Sequence, residues 1–185
     1  MDSKVLIKTY LESKVVMKGD YPYFINPISD GNPAMTKDLL DEVTDDIISI
    51  SDLDCDLILA PEAMAIPYAA VMTVKTGIPF QIIRKRGHGL SNEIAFEKST
   101  GYESSQMFLH DIPRGTKAVL VDDVISTGGT LKSIVKNLRD NGIIITEIIA
   151  ILNKSDDIDA LSADIGIPIR SLIRVSVIDG KPVVL

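Results

Sequence analysis

A single cysteine, Cys55, stands in the whole chain. A lone thiol forms no intrachain disulfide, and no Cys/His cluster with zinc-ligand spacing accompanies it. Cys55 is therefore expected as a small apolar residue beside a strand, not as a nucleophile. Tryptophan is absent, and no basic tract interrupts a chain whose formal charge is −7. Duplex DNA or RNA is thereby excluded as the main partner, because such affinity depends on clustered Lys and Arg. A small anionic ligand stays compatible with a local basic site on an acidic surface. No apolar run reaches membrane-spanning length. The opening "MDSKVLIKTYLESK" lacks the uninterrupted apolar stretch of a signal peptide. A cytoplasmic protein with no membrane partner is expected. Internal repeats, low-complexity tracts and an interdomain linker are missing as well.

What remains is 185 residues, 45% of them hydrophobic, enough for one domain with a sizeable core. "VLIKTYLES" suits a short amphipathic helix, and "GDYPYFINPISDGNPA" reads as an irregular segment carrying aromatics. Leu39, Leu40, Val43, Ile47, Ile48 and Ile50 recur at helical spacing after Thr36, a suitable N-cap. Then strands and helices alternate. "CDLILA" precedes a helix from near Pro67 to Gly77, and "IPFQIIRK" follows as a second strand. Residues 87–105 are polar and rich in Gly and Ser, hence a loop or loose hairpin, and "QMFLH" suits a strand. "KAVLVDDV" is a strand, "TLKSIVKNLRDNG" a helix, "IIITEIIAILNK" a strand and "DIDALSADIG" a short helix. The tail "IRSLIRVSVIDGKPVVL" alternates like a strand and suits packing in the domain or across a two-fold interface. Strands apolar on both faces belong to a parallel sheet, so the fold class is α/β. Ligands in such sheets bind at the carboxyl ends of the strands.

The segment "VLVDDVISTGGTL" falls at such an end. Two carboxylates, Asp122 and Asp123, close an apolar strand, and Ser126, Thr127, Gly128, Gly129 and Thr130 lead into a helix. Loop amides and a helix N-terminus facing one point attract a phosphate, the dipole alone contributing about 0.3–2 kcal/mol. A nucleoside triphosphatase loop is excluded, because Thr130 stands where that pattern requires Lys. Carboxylates beside a phosphate cradle make sense when a ribose lies between them, its vicinal hydroxyls donating to Asp122 and Asp123. A side chain at Gly128 is expected to fill the space the phosphate needs and to disfavour positive φ.

This segment closely resembles the phosphoribosyl-pyrophosphate (PRPP) signature of the type I phosphoribosyltransferases. "LILAPEAMAIP" is similar to the family's pyrophosphate loop, "IIRKRG" to the basic segment on the next strand, and "YFINPISDG" to the purine-facing hood of its adenine branch. With "STGY" and "IDGKPVVL", the set looks most like the archaeal hypoxanthine/guanine phosphoribosyltransferases. The resemblance implies a mostly parallel twisted sheet flanked by helices. It implies a single domain over 1–185, with a hood from about 1–35 plus the C-terminal segment and a mobile loop at about 87–105. Asp122 and Asp123 would hold the ribose, Ser126 through Thr130 the 5-phosphate, Glu62, Ala63, Met64, Ala65, Arg84 and Lys85 the pyrophosphate, and Phe24 and Ile25 the purine. Mg²⁺ would be the cofactor, with no protein ligand assigned to it, and PRPP and a purine base the substrates of a homodimer.

Departures are specific. The adenine enzymes carry Glu-Ala-Arg-Gly where Glu62, Ala63, Met64 and Ala65 stand, and a Glu where Gly101 precedes Tyr102. Glu97 and Glu103 are either proton acceptors or solvated carboxylates. Tyr21, Tyr23 and Phe24 either stack on a base or pack in the core. His88 and His110 are expected at exposed loop positions. Hypoxanthine and guanine are the expected bases, with adenine the alternative. A non-catalytic PRPP sensor is the reading from another class. It would need a DNA-binding module, which the roughly fifty non-basic residues before the first core strand do not resemble.

Overall fold

The computed structural model describes residues 3–19, 21–100 and 103–185. Helix α1 (Lys4–Leu11) buries Leu6 and Tyr10, one turn apart. The antiparallel hairpin of β1 (Lys14–Lys18) and β2 (Tyr21–Ile25) leads into a single turn, α2 (Pro27–Asp30). Asn26 caps that turn, its Oδ1 accepting the backbone N–H groups of Ile28 and Ser29 at 2.8 and 3.0 Å. Pro27 presets the first helical torsion, and Gly31 stops the turn at φ 63°. The segment expected to be irregular thus contains a strand and a helical turn.

Helix α3 (Lys37–Ile50) starts at the expected cap: Thr36 Oγ1 accepts from the Leu39 N–H at 3.3 Å. Next come β3 (Leu57–Pro61), α4 (Ile66–Thr76) and β4 (Phe80–Ile83). The strands β5 (Glu93–Thr100) and β6 (Glu103–His110) project as a hairpin arm, and β7 (Lys117–Ile125), α5 (Gly129–Asp140) and β8 (Ile144–Asn153) return to the centre. Helix α6 (Ile158–Ile165), β9 (Ile169–Ile178) and β10 (Lys181–Val184) end the chain.

Six strands form the central sheet in the order β10-β9-β8-β7-β3-β4. All pair in parallel except β10, which runs antiparallel to β9 at the edge. Period-two alternation sorts the apolar strands between two cores. Val119 and Val121 face α1, α3 and α4, whereas Ala118 and Leu120 face α5 and α6. Burying each such Val or Leu side chain contributes about 1.5–3 kcal/mol. The C-terminal alternation packs within the domain, with Ile173 and Val175 in the first core.

The arm is more regular than a loose hairpin. Its ladder runs from Glu93↔His110 to Thr100↔Glu103; Gly101 and Tyr102 lie outside the described residues. Its base is fastened to the sheet. Met107 and Leu109 are buried in the second core, and Arg84 and Phe108 exchange backbone hydrogen bonds of 2.8 and 2.7 Å. His88 is exposed as expected, but His110 ends β6, and its Nδ1 is buried without a hydrogen-bond partner. Cys55 is half-buried beside β3. No helix among the described residues is long and apolar enough to cross a membrane.

Candidate active site

Strand β7 carries a buried run, Ala118 to Val121, up to two adjacent carboxylates. These open onto a cavity of about 620 Å³ at the carboxyl ends of β3 and β7. Ser126, Thr127, Gly128, Gly129 and Thr130 line it, and α5 begins there, so the positive end of that helix faces the cavity. Gly128 sits at φ 76°, a left-handed torsion that glycine adopts at little cost.

The residues expected to border a pyrophosphate divide. Glu62, Ala63 and Met64 line the cavity opposite the aspartates, and the peptide between Glu62 and Ala63 is cis. Ala65 instead is fully buried and packs in the first core as α4 begins. Lys85 lines the cavity, and its backbone N–H donates to Glu62 Oε2 at 3.2 Å. Arg84 is not among the lining residues. Its backbone is held by Phe108, and its Nε is buried without a hydrogen-bond partner. The bridge to Phe108 just past β4 turns Arg84 toward the arm, whereas Lys85, one residue beyond that pairing, borders the cavity. Met64 reaches toward the N-terminal segment: a Cβ on Gly31 would lie 3.6 Å from Met64 Cε.

The N-terminal segment closes the cavity from above with Tyr23, Ser29 and Asp30. Tyr23 donates its hydroxyl to Asp30 Oδ1 at 2.8 Å, and Ser29 Oγ donates to Asp30 Oδ2 at 2.7 Å. Burial, reinforced by the Asp30 hydrogen bond, pushes the Tyr23 hydroxyl up to about 12, so it stays a neutral donor. Burial is also the main force on Asp123. Together with the Asp122 charge and a hydrogen bond to the Asp122 side chain, it holds the Asp123 carboxyl well above the ordinary carboxylate range. The Asp123 N–H donates to Asp122 Oδ1 at 3.0 Å.

A side cavity of about 150 Å³ adjoins the first and shares Tyr23, Ser29, Asp123 and Val124 with it. Tyr21, Phe24 and Lys154 complete its lining. Phe24 is core and wall at once. It is 5% exposed, edge-on to Tyr10 at 5.3 Å and stacked with Tyr23 at 6.2 Å. Ile25, its neighbour on β2, points to a separate cavity with Thr9 and Pro33. Lys154, just past β8, was missed in the sequence. Its Nζ donates to Tyr21 Oη at 2.7 Å and to the Pro22 carbonyl at 3.3 Å, and lies 3.9 Å from the Tyr21 ring centroid. The available signal was "ILNK", a cation at the carboxyl end of a strand that neighbours the aspartates.

One expectation needs correction. A side chain at Gly128 would not enter the cavity first. Its Cβ would lie 2.5 Å from Leu161 Cδ1 and 2.8 Å from Cδ2, against α6.

The Phosphoribosyl transferase domain family model matches residues 36–166. A hypoxanthine/guanine phosphoribosyltransferase of Methanohalophilus mahii is 45% identical over 174 residues, spanning 94% of this chain and 91% of the relative. A protein of the same name from Methanothermococcus okinawensis is 39% identical over 181 residues, 98% and 99% of the two chains. Adenine phosphoribosyltransferase from Thermoanaerobacter pseudethanolicus superposes with a TM-score of 0.73 at 24% identity, covering 91% of this chain and 97% of that one. The Saccharomyces cerevisiae enzyme does so with 0.72 at 16% identity and the same coverage. Identities this low speak for the fold alone. On the family match and the archaeal relatives, this chain belongs to the phosphoribosyl transferase domain family.

Proposed function

We propose that this chain is a purine salvage enzyme that joins hypoxanthine or guanine to the ribose of PRPP, giving IMP or GMP and pyrophosphate. The observation that carries the reading is the junction of two cavities at Asp123, one bordered by a glycine-rich turn and helix N-terminus, the other aromatic with a lysine. The archaeal relatives' shared name supplies the pair of bases.

In this reading Ser126 through Thr130 hold the 5-phosphate with backbone and hydroxyl donors. Asp122 and Asp123 accept hydrogen bonds from the ribose hydroxyls. Glu62, Ala63 and Met64 border the pyrophosphate, and Lys85 supplies positive charge to it. The purine enters the side cavity against the aromatic wall. Its ring nitrogen attacks C1 of the ribose, the C1–O bond breaks, and pyrophosphate departs with the bonding electrons. The base releases its ring N–H proton to solvent. Positive charge developing on the ribose is favoured by the two aspartates.

Among the described residues no group of three or more His, Cys, Asp or Glu could hold a metal ion. Bound Mg²⁺ would offset negative charge on the leaving pyrophosphate beside Glu62 and Lys85, and no protein ligand is assigned to it.

Lys154 gives the base preference a physical cause. A 6-oxopurine presents an acceptor at position 6 to an ammonium, whereas adenine presents an amino donor and leaves the lysine unmatched. Losing a charge-assisted hydrogen bond costs about 1.5–3 kcal/mol, roughly ten- to over a hundredfold in rate. Chromatographic assays with each base at matched concentration test this. Hypoxanthine and guanine should yield product, with adenine at least about tenfold poorer in kcat/KM, and Lys154→Met should narrow that gap. Adenine as the best substrate overturns the base assignment, and no product from any purine overturns the enzyme. A homodimer is proposed on the family resemblance alone; a monomer in light scattering would remove it.

A further inference from the structure

We infer that Leu161, on α6, is a positioning residue that sets the shape of the phosphate-binding turn from behind. The inference rests on the reading of Ser126 through Thr130 as the 5-phosphate cradle. Leu161 is not among the residues lining the substrate cavity. It lies on a separate cleft with Ser126 and Thr127, and its side chain occupies the space where a Cβ of Gly128 would stand.

Three features fix Leu161 there. It is 8% exposed and packs in the core with Ile125 and Leu131, the residues flanking the turn. Helix α6 is capped at its start, Asp157 Oδ1 accepting from the Ala160 N–H at 2.9 Å, and the preceding Asp156 carbonyl accepts from Arg174 Nη2 of β9 at 2.9 Å. The strand ends are tied together too, the Lys154 N–H donating to the Ile125 carbonyl at 2.7 Å. Gly128 meanwhile launches α5, its carbonyl accepting from the Lys132 N–H at 2.9 Å. A turn pressed between a cavity and a leucine has one low-energy position. With the leucine shortened, the turn has room to sink, and the amides that converge on a phosphate lose their aim. Such a change weakens PRPP binding more than it slows a bound complex.

Gly128 is thus required twice, for its torsion and for the space Leu161 takes. The two requirements separate in a double-mutant cycle. Gly128→Ala carries both the strained torsion and the collision. Adding Leu161→Ala removes the collision and leaves the torsion, so the difference isolates the contact. Ile165→Ala, one turn further along α6 and buried in the same core, controls for general loosening.

Steady-state kinetics on the four variants, with melting curves, test the inference. Leu161→Ala should raise KM for PRPP about fivefold or more, while kcat and KM for the base stay within about threefold. Ile165→Ala should lower the melting temperature comparably without that rise in KM. Gly128→Ala should lose kcat/KM for PRPP, and the double variant should regain at least about threefold of it. If Leu161→Ala and Ile165→Ala raise KM alike, or the double variant is no better than Gly128→Ala, the positioning role is overturned. If Gly128→Ala leaves PRPP kinetics intact, the cradle reading itself fails.

Discussion

Asp123 is held under opposing demands. The proposed function needs its carboxylate for a ribose, yet the folded protein disfavours the charge through burial and the neighbouring Asp122. The sign of the consequence follows from linkage. A carboxyl whose folded pKa is raised binds its proton in the folded state at pH values where the unfolded chain has lost it. Its stabilising contribution is full below the ordinary carboxylate range and is lost as pH rises through the raised value. Asp123→Asn removes the titration. The variant should lose less melting temperature than the parent between about pH 5 and pH 8, and should be the more stable of the two at the upper end. It should also lose roughly ten- to a hundredfold or more in kcat/KM for PRPP, the cost of a charged acceptor. Calorimetry at the two pH values and initial rates check both halves. An unchanged pH dependence of melting would mean that Asp123 is not the group resisting ionisation.

At the scale of elements, Asn26 links local structure to the site. It is 1% exposed, caps α2, and donates from Nδ2 to Ser13 Oγ at 3.1 Å. The turn it caps carries Ser29 and Asp30 to the cavity edge. Asn26→Ala removes a cap worth about 0.5–2 kcal/mol, which in a chain of this size lowers the melting temperature by roughly 1–8 °C. Because α2 carries cavity residues, KM for the base or for PRPP should rise as well; melting loss with unaltered kinetics would detach α2 from the site. The same turn shows what was legible in the sequence. "NPISDG" contains a cap, a first-turn proline and a terminating glycine, but four helical residues are too few to show a period. β2 contains Pro22, a residue confined to edges, and among the described residues pairs with β1 alone. By contrast β7 and α5 were legible because apolar runs and helical spacing are local signals, and the aspartates and glycine-rich turn lie at their junction. The direction of Arg84 against Lys85 and the approach of Lys154 to Tyr21 depend on contacts between distant segments, Arg84 with Phe108 and Lys154 with Tyr21 across 133 positions. Spacing along one chain carries no trace of either.

For the molecule as a whole, charge sets the terms of binding. The chain carries −7, and its main cavity places Asp30, Glu62, Asp122 and Asp123 against a single cation, Lys85, among the described lining residues. Metal-free PRPP, itself strongly anionic, meets that field unfavourably at its pyrophosphate end. In the proposed function a cation on the pyrophosphate would reverse the local balance, while the turn from Ser126 to Thr130 would hold the 5-phosphate through amides and hydroxyls regardless. Chelation with EDTA should therefore lower turnover at least about tenfold, with activity restored by added Mg²⁺, and leave the melting temperature of the free protein within about 1 °C. Mg²⁺ with PRPP at about a hundred times its Kd should raise the melting temperature by roughly 5–11 °C, from about 2.7 kcal/mol of linked stabilisation. PRPP in EDTA at the same concentration should raise it far less. A fall in melting temperature on chelation alone would reveal a resident metal that the cavity chemistry does not foresee. Equal shifts with and without Mg²⁺ would show that the four carboxylates do not govern access of the pyrophosphate.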